Sequence, residues 1–176
     1  VWSMNIFYLN EDPIIAAQMS CDKHVVKMIL ESAQMLSTTH RVLDGNDYAD
    51  KVGLYKLAHK NHPSTIWVRS SYQHYKWLYD HMIGLMQEYT HRYGKHHATE
   101  RLITPLLEYP QAIPVGGYTD PPQCMPEECK GEDTVLAYQK YYIIEKSSFA
   151  KWSKREIPTW FMESINAKGK SVELHT

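Results

Sequence analysis

Residues 20–36 read SCDKHVVKMILESAQML, and Val25, Val26, Met28, Ile29, Leu30, Ala33 and Leu36 recur there at helical spacing. That periodicity predicts a helix with an apolar face turned to a core. The same stretch carries a second stripe. His24, Lys27, Glu31 and Gln34 fall at i, i+3, i+7 and i+10 and share one face. Two roles fit it. One is a solvated surface on which a Lys27–Glu31 pair contributes about 0.3–0.5 kcal/mol. The other is an acid, a base and an amine gathered for chemistry.

Similar patterning organises the rest of the chain. Asp12-Pro13 supplies an N-cap and a first-turn proline, so a helix starts there and runs, with a break at 20–22, to about Val42. The DGND turn and a short helix near 50–59 follow. NHPST caps a long helix over 64–93 that Gly94 stops, with Trp67, Tyr75, Leu78, Met82, Leu85, Met86 and Tyr89 on its apolar face. A short helix in 98–109 is interrupted at Pro105, and 110–125, with its prolines and Gly116-Gly117, reads as a long irregular loop. A last helix covers about 133–153 and IPTWF comes after it. Only NIFYL (5–9) resembles a strand. The pattern predicts a mainly α fold, a single compact domain of about three long helices plus short helices and the loop. This domain spans 1–165, with a C-terminal tail over 166–176.

Composition narrows the setting. The 176 residues, 43% of them hydrophobic, suffice for one core, and no apolar run approaches a membrane span. VWSMNIFYLN lacks the regions of a signal peptide, and Cys21, Cys124 and Cys129 suit reduced thiols, so a cytoplasmic location is expected. Cys124 and Cys129 have no second pair with which to complete a zinc site. A net charge of −1 gives no global pull toward nucleic acid. Acidic residues collect in 44–50 and 126–133, however, and basic ones in YKLAHKNH (55–62), HRYGKHH (91–97) and KWSKR (151–155). If the basic stretches meet, they form one positive face. Aromatic residues beside cations, as in Tyr75-Lys76-Trp77 or Lys151-Trp152, suit either core packing or the stacking of bases beside neutralised phosphates.

Three blocks, in order, resemble the pyrimidine-dimer DNA glycosylase/abasic-site lyase family of small all-helical phage repair enzymes. They are DKHVVKMILE (22–31), with Asp-x-His and a glutamate seven residues after the histidine, MPEECKGED (125–133) and IPTWF (157–161). The resemblance implies cleavage of the glycosidic bond at a pyrimidine dimer by attack of the protein's own α-amine on sugar C1′. A β-elimination then nicks the strand, without metal or cofactor. It implies Glu31 as acid/base, His24 and Lys27 flanking it, and a monomer acting on damaged duplex DNA. Phosphate contacts are expected from Lys60, Arg69, Arg92, Lys95, Lys146, Lys151, Lys154 and Arg155, with His62 beside them. Tyr141, Tyr142 and Trp160 are candidates for aromatic contact near the site, Trp160 being better suited to the core.

The chain departs from the family at the nucleophile, which there is a threonine amine exposed by loss of the initiator methionine. Here the chain opens Val1-Trp2-Ser3-Met4. Val1 bears a competent amine if a methionine before it is removed, since an α-amine titrates at about 7.7–8.0. Otherwise Lys23 or Lys27 could form the imine once its pKa is lowered. Leu30 and Gln34 occupy positions that carry arginines in the family. Two readings from other classes stand beside this one. The first is a non-enzymatic nucleic-acid-binding or protein-binding module. The second is a metal-dependent hydrolase built from His59, His62 and 95–97 with Glu100 or Asp80.

Overall fold

The computed structural model describes residues 4–175, with side chains to residue 167; Val1 lies outside the described residues. Asp12 opens α1 (Pro13–Met19) by accepting the Ile14 and Ile15 amides, and Pro13 fills the first turn. Ser20 is extended and breaks the chain, and α2 (Asp22–Asp44) follows. No side chain caps α2. Its first amides reach distant partners instead: Cys21 N–H donates to the Tyr142 hydroxyl at 3.2 Å and Asp22 N–H to the Lys151 carbonyl at 2.7 Å.

α3 (Asp47–Val52) is displaced from the helix expected near 50–59, because Gly53 takes a left-handed φ of 76° and ends it. Residues beyond it are pinned along α2, with Arg41 donating to the Leu54 and Tyr55 carbonyls and Thr38 bonded to Ala58. The single helix expected over 64–93 is two, α4 (Pro63–Arg69) and α5 (Tyr72–Tyr93). Ser71 is extended at the junction and accepts the Gln73 amide, so a serine pair competes successfully for the backbone. The proline-rich loop docks into that break: Tyr72 N–H donates to Pro114 O, Ser71 Oγ to Gly117 O and the Trp67 indole to Thr119 O.

The core forms where α1 and α2 pack on α5, with α4 closing the side of α2. A Cβ at Gly84 would lie 3.0 Å from Ala17 Cβ and 3.3 Å from Ile14 Cα, which is why α1 and α5 can approach so closely. Beyond Gly94, a 3-10 turn (Ala98–Leu102) leads into α6 (Ile103–Leu107). α7 (Thr134–Tyr141), capped by Asp133, passes into a π-helical turn (Tyr142–Lys146) and stops short of the expected end at 153. IPTWF begins a further helix, α8 (Thr159–His175). The described residues include no β-strand. NIFYL is strand-like because residues 4–9 are all buried, threading the core with Asn5 bonded to Cys124 O and the Tyr138 hydroxyl.

One buried ionic cluster fastens these parts together. The Arg92 guanidinium, wholly inaccessible, donates to Glu88 and Asp22 carboxylates and to the Gln18 carbonyl. Glu88 also takes Arg155, and Asp22 takes the Ser153 amide and hydroxyl. Two of the three basic stretches, 91–97 and 151–155, therefore do meet, but around acids rather than as a free positive face. Removing one partner leaves uncompensated charge in the interior. Arg92→Leu is expected to destabilise the fold by about 3–5 kcal/mol. Thermal and denaturant unfolding check this, and a loss below about 1 kcal/mol, the size of an exposed pair, contradicts it.

Candidate active site

The polar stripe of α2 is partly inside. His24 is 4% exposed and Glu31 9%, whereas Val26 and Leu30, expected in the core, are each 40% exposed. The helix is thus turned so that an acid and an imidazole enter the protein and two aliphatic side chains leave it. Lys23 and Lys27 stay exposed.

Glu31 is the unusual group. Its Oε2 is buried and has no hydrogen-bond partner. Burial pushes its carboxyl up to about 7, against the pull of the Lys27 ammonium one turn away. Leaving such a group unpaired costs about 1–3 kcal/mol, a burden that marks a candidate functional acid. A carboxyl near 7 is populated in both forms at neutral pH and can either give or take a proton.

His24 is held by its surroundings. Its ring stacks on Phe7 at 3.9 Å, meets Phe149 edge-on, and places Nδ1 2.5 Å from the Tyr142 hydroxyl. Burial, then Lys146, Lys27 and Lys23, push it down to about 3. It is therefore a neutral imidazole that orders the site rather than a base charged at neutral pH. Lys146, at the end of the π-helical turn, lies over Tyr141 at 4.8 Å and near Phe149, while Lys23 lies 4.5 Å from Phe149. Burial and the neighbouring Lys27 hold the Lys146 ammonium below the usual lysine range. Three amines and a neutral imidazole thus gather at the start of α2, and a neutral-range carboxyl stands one turn beyond Lys27. The Trp160 indole N–H is buried near Tyr142 without a partner.

The other expected contacts divide. Lys60, Lys95, Lys151 and Lys154 are exposed; Arg69 is half-buried and donates to the Lys60 carbonyl. The Lys151 carbonyl accepts Asp22 N–H and the Lys154 carbonyl the His91 ring, which sets this strap beside the start of α2. Three expectations are corrected. Arg92 cannot reach a phosphate because its guanidinium is spent on Glu88, Asp22 and Gln18. Tyr141 and Tyr142 are 2% and 0% exposed, packed by Phe7 and, for Tyr142, bound to His24 and Cys21, so neither offers a face to DNA. Arg155 is tied to Glu88.

The metal-hydrolase arrangement is not assembled. His62 caps α4 through Ser64 N–H, His97 caps the 3-10 turn through Thr99 N–H, and Asp80 pairs with Lys76. Among the described residues no three His, Cys, Asp or Glu side chains gather as a metal site. Sequence reasoning missed Phe7 and Phe149 as walls of the site. Phe7 lies in the strand-like segment, and only the pairing of that segment with α2 reveals its role.

Residues 4–101 match a family model described as pyrimidine dimer DNA glycosylase. No curated protein and no solved structure matches the chain.

The Glu31 proton gives a stability test with a definite sign. The folded-state pKa of about 7 lies above the ordinary 4.5, so folding favours the protonated form. The contribution of Glu31 is greatest below about pH 4.5, falls as pH rises toward 7 and is level above it. Glu31→Gln should therefore be more stable than the parent at pH 8 by about 1–3 kcal/mol, a gap that closes toward pH 4.5. Urea unfolding at both pH values measures it, and a pH-independent difference contradicts the assignment.

Proposed function

The chain belongs to the pyrimidine dimer DNA glycosylase family, which implies DNA glycosylase activity, and from that premise we propose that it also nicks the strand through an imine, with Glu31 as the acid/base. The substrate proposed is a pyrimidine dimer in duplex DNA. The observation that carries the reading is the Glu31 carboxyl near neutrality, its Oε2 buried without a partner, one turn from Lys27, which is also one of the three lysines near His24.

An amine lone pair attacks C1′, the glycosidic bond breaks with its electrons leaving on the base, and the attached ammonium loses one proton, matched by the proton that the departing base takes up. Protonated Glu31 then gives its proton to O4′ as the C1′–O4′ bond opens and the imine forms. The resulting carboxylate removes a C2′ proton, and the electron pair released expels the 3′ phosphate by β-elimination. Glu31 ends in the state in which it began, and water hydrolyses the imine to return the amine. A carboxyl held near 7 suits both of its steps, and acid–base groups of this kind contribute about 10²–10⁴-fold. The N-terminal amine is the proposed nucleophile, with Lys23 and Lys27 the internal alternatives. Lys23, Lys27, Lys146, Lys151 and Lys154 would hold the phosphates around it.

Borohydride trapping on a duplex with an abasic site, followed by mass mapping of the crosslink, tests the proposal. The parent protein with a free N-terminus is expected to give a covalent adduct at that amine. Glu31→Gln is expected to lower nicking by about 10²-fold or more. No adduct and no nicking by the parent, or full nicking by Glu31→Gln, contradicts it.

A further inference from the structure

Scattered exposed aliphatics need no explanation, but Val26 and Leu30 are not scattered. They stand one turn apart on the outer face of α2, each 40% exposed and each with an exposed lysine three residues before it, Lys23 and Lys27. On the same helix His24 and Glu31 are buried. The usual polarity of a surface helix is reversed along this part of α2. Lys23, Val26, Lys27 and Leu30 fall at i, i+3, i+4 and i+7, so they form a single ridge in which amines and aliphatic side chains alternate.

We propose that Val26 and Leu30 are a wedge that enters the base stack of duplex DNA beside the lesion and fills the space left by the displaced nucleotide. The inference rests on the reading of Glu31 as the reacting acid. The sugar carbon that this chemistry attacks is walled in by stacked neighbours, and opening the stack costs free energy that an inserted apolar side chain offsets. The charge pattern selects the occupant. Lys23 and Lys27, about 6 Å apart along the helix axis, alternate with the two apolar side chains, and Lys146 adds a third amine near Lys27. An anionic polymer with an apolar interior meets both features; an apolar protein surface would have to bury the ammonium groups unpaired. Lys27 belongs both to the ridge and to the stripe that carries Glu31, one turn from Leu30 and from Glu31, so a duplex held on the ridge lies beside that stripe.

The test uses a duplex with a tetrahydrofuran abasic analogue, which forms no imine, and 2-aminopurine in the neighbouring position. Fluorescence reports unstacking and anisotropy reports binding. The full-length protein is expected to bind and raise the fluorescence, as is Leu30→Met. Leu30→Ala, and more so the Val26→Ala/Leu30→Ala pair, should lose most of the rise while binding weakens by less than about tenfold, because the phosphate contacts remain. On abasic duplex the paired variant should nick at least about tenfold more slowly, a modest share of the unstacking cost.

Four outcomes decide the matter. A rise that persists in the paired variant overturns the wedge and leaves the role of Glu31 standing. Binding by the parent without any rise does the same. A change in oligomeric state with the fluorescence intact assigns the ridge to contacts between copies and overturns it. No binding by the parent brings down the reading of the site and the wedge with it. Both side chains are partly exposed, so melting temperatures are expected to stay close to that of the parent, which separates the effect from misfolding.

Discussion

The structure depends on a guanidinium with no access to water. Arg92, near the end of α5, is held by Glu88 on its own helix, by Asp22 at the start of α2 and by the Gln18 carbonyl in α1. Each acid is shared onward, Glu88 with Arg155 and Asp22 with Ser153. Three helices and the strap before α8 are thereby fixed to one point. The first amides of α2 are satisfied by Tyr142 and by Lys151, which arrive from the far end of the sequence. The start of α2 is thus defined by tertiary contacts, and its orientation decides which side chains go inward.

That orientation explains the site. An ordinary surface helix places its aliphatic stripe inside and its polar stripe in water. Here Val26 and Leu30 face out while His24 and Glu31 face in. The cost falls on Glu31, whose buried oxygen has no partner. His24 makes no such demand, because Phe7, Phe149 and the Tyr142 hydroxyl accommodate it as a neutral ring. The lysines around that ring repel one another and any charge on it, and the same field attracts phosphate. A site that is poor for stability is suited to a reaction that needs a movable proton beside an anionic substrate.

Much of this was legible in the sequence. Asp12-Pro13 gave the start of α1, and Gly94, left-handed at φ 69°, gave the end of α5. The stripe His24–Lys27–Glu31 singled out the carboxyl proposed as the acid/base, and the order of three short motifs pointed to the family that the match over 4–101 shows. What could not be read depends on long-range partners. Ser70-Ser71 offers only a weak local break, an N-cap serine, and the division becomes plain once the loop from Pro114 to Thr119 is seen to dock there. Arg92 reads as a surface cation because its partners are distant in sequence. Tyr141 and Tyr142, beside Lys140, suit either the core or contact with DNA, and only their packing against Phe7 shows them to be interior. NIFYL has strand composition because a chain buried on all sides selects the same residues as a buried strand.

The claim on which the account turns is that Glu31 holds a proton near neutral pH in the folded protein. Carbon-13 NMR of protein labelled at the glutamate carboxyl, with Glu31→Gln to assign the resonance, measures it directly. The Glu31 signal is expected to titrate near pH 7, above the ordinary 4.5 of a glutamate carboxyl. Titration near the ordinary 4.5 would contradict it, showing that the carboxyl is hydrated or paired in solution and has no proton to give at the pH of the reaction.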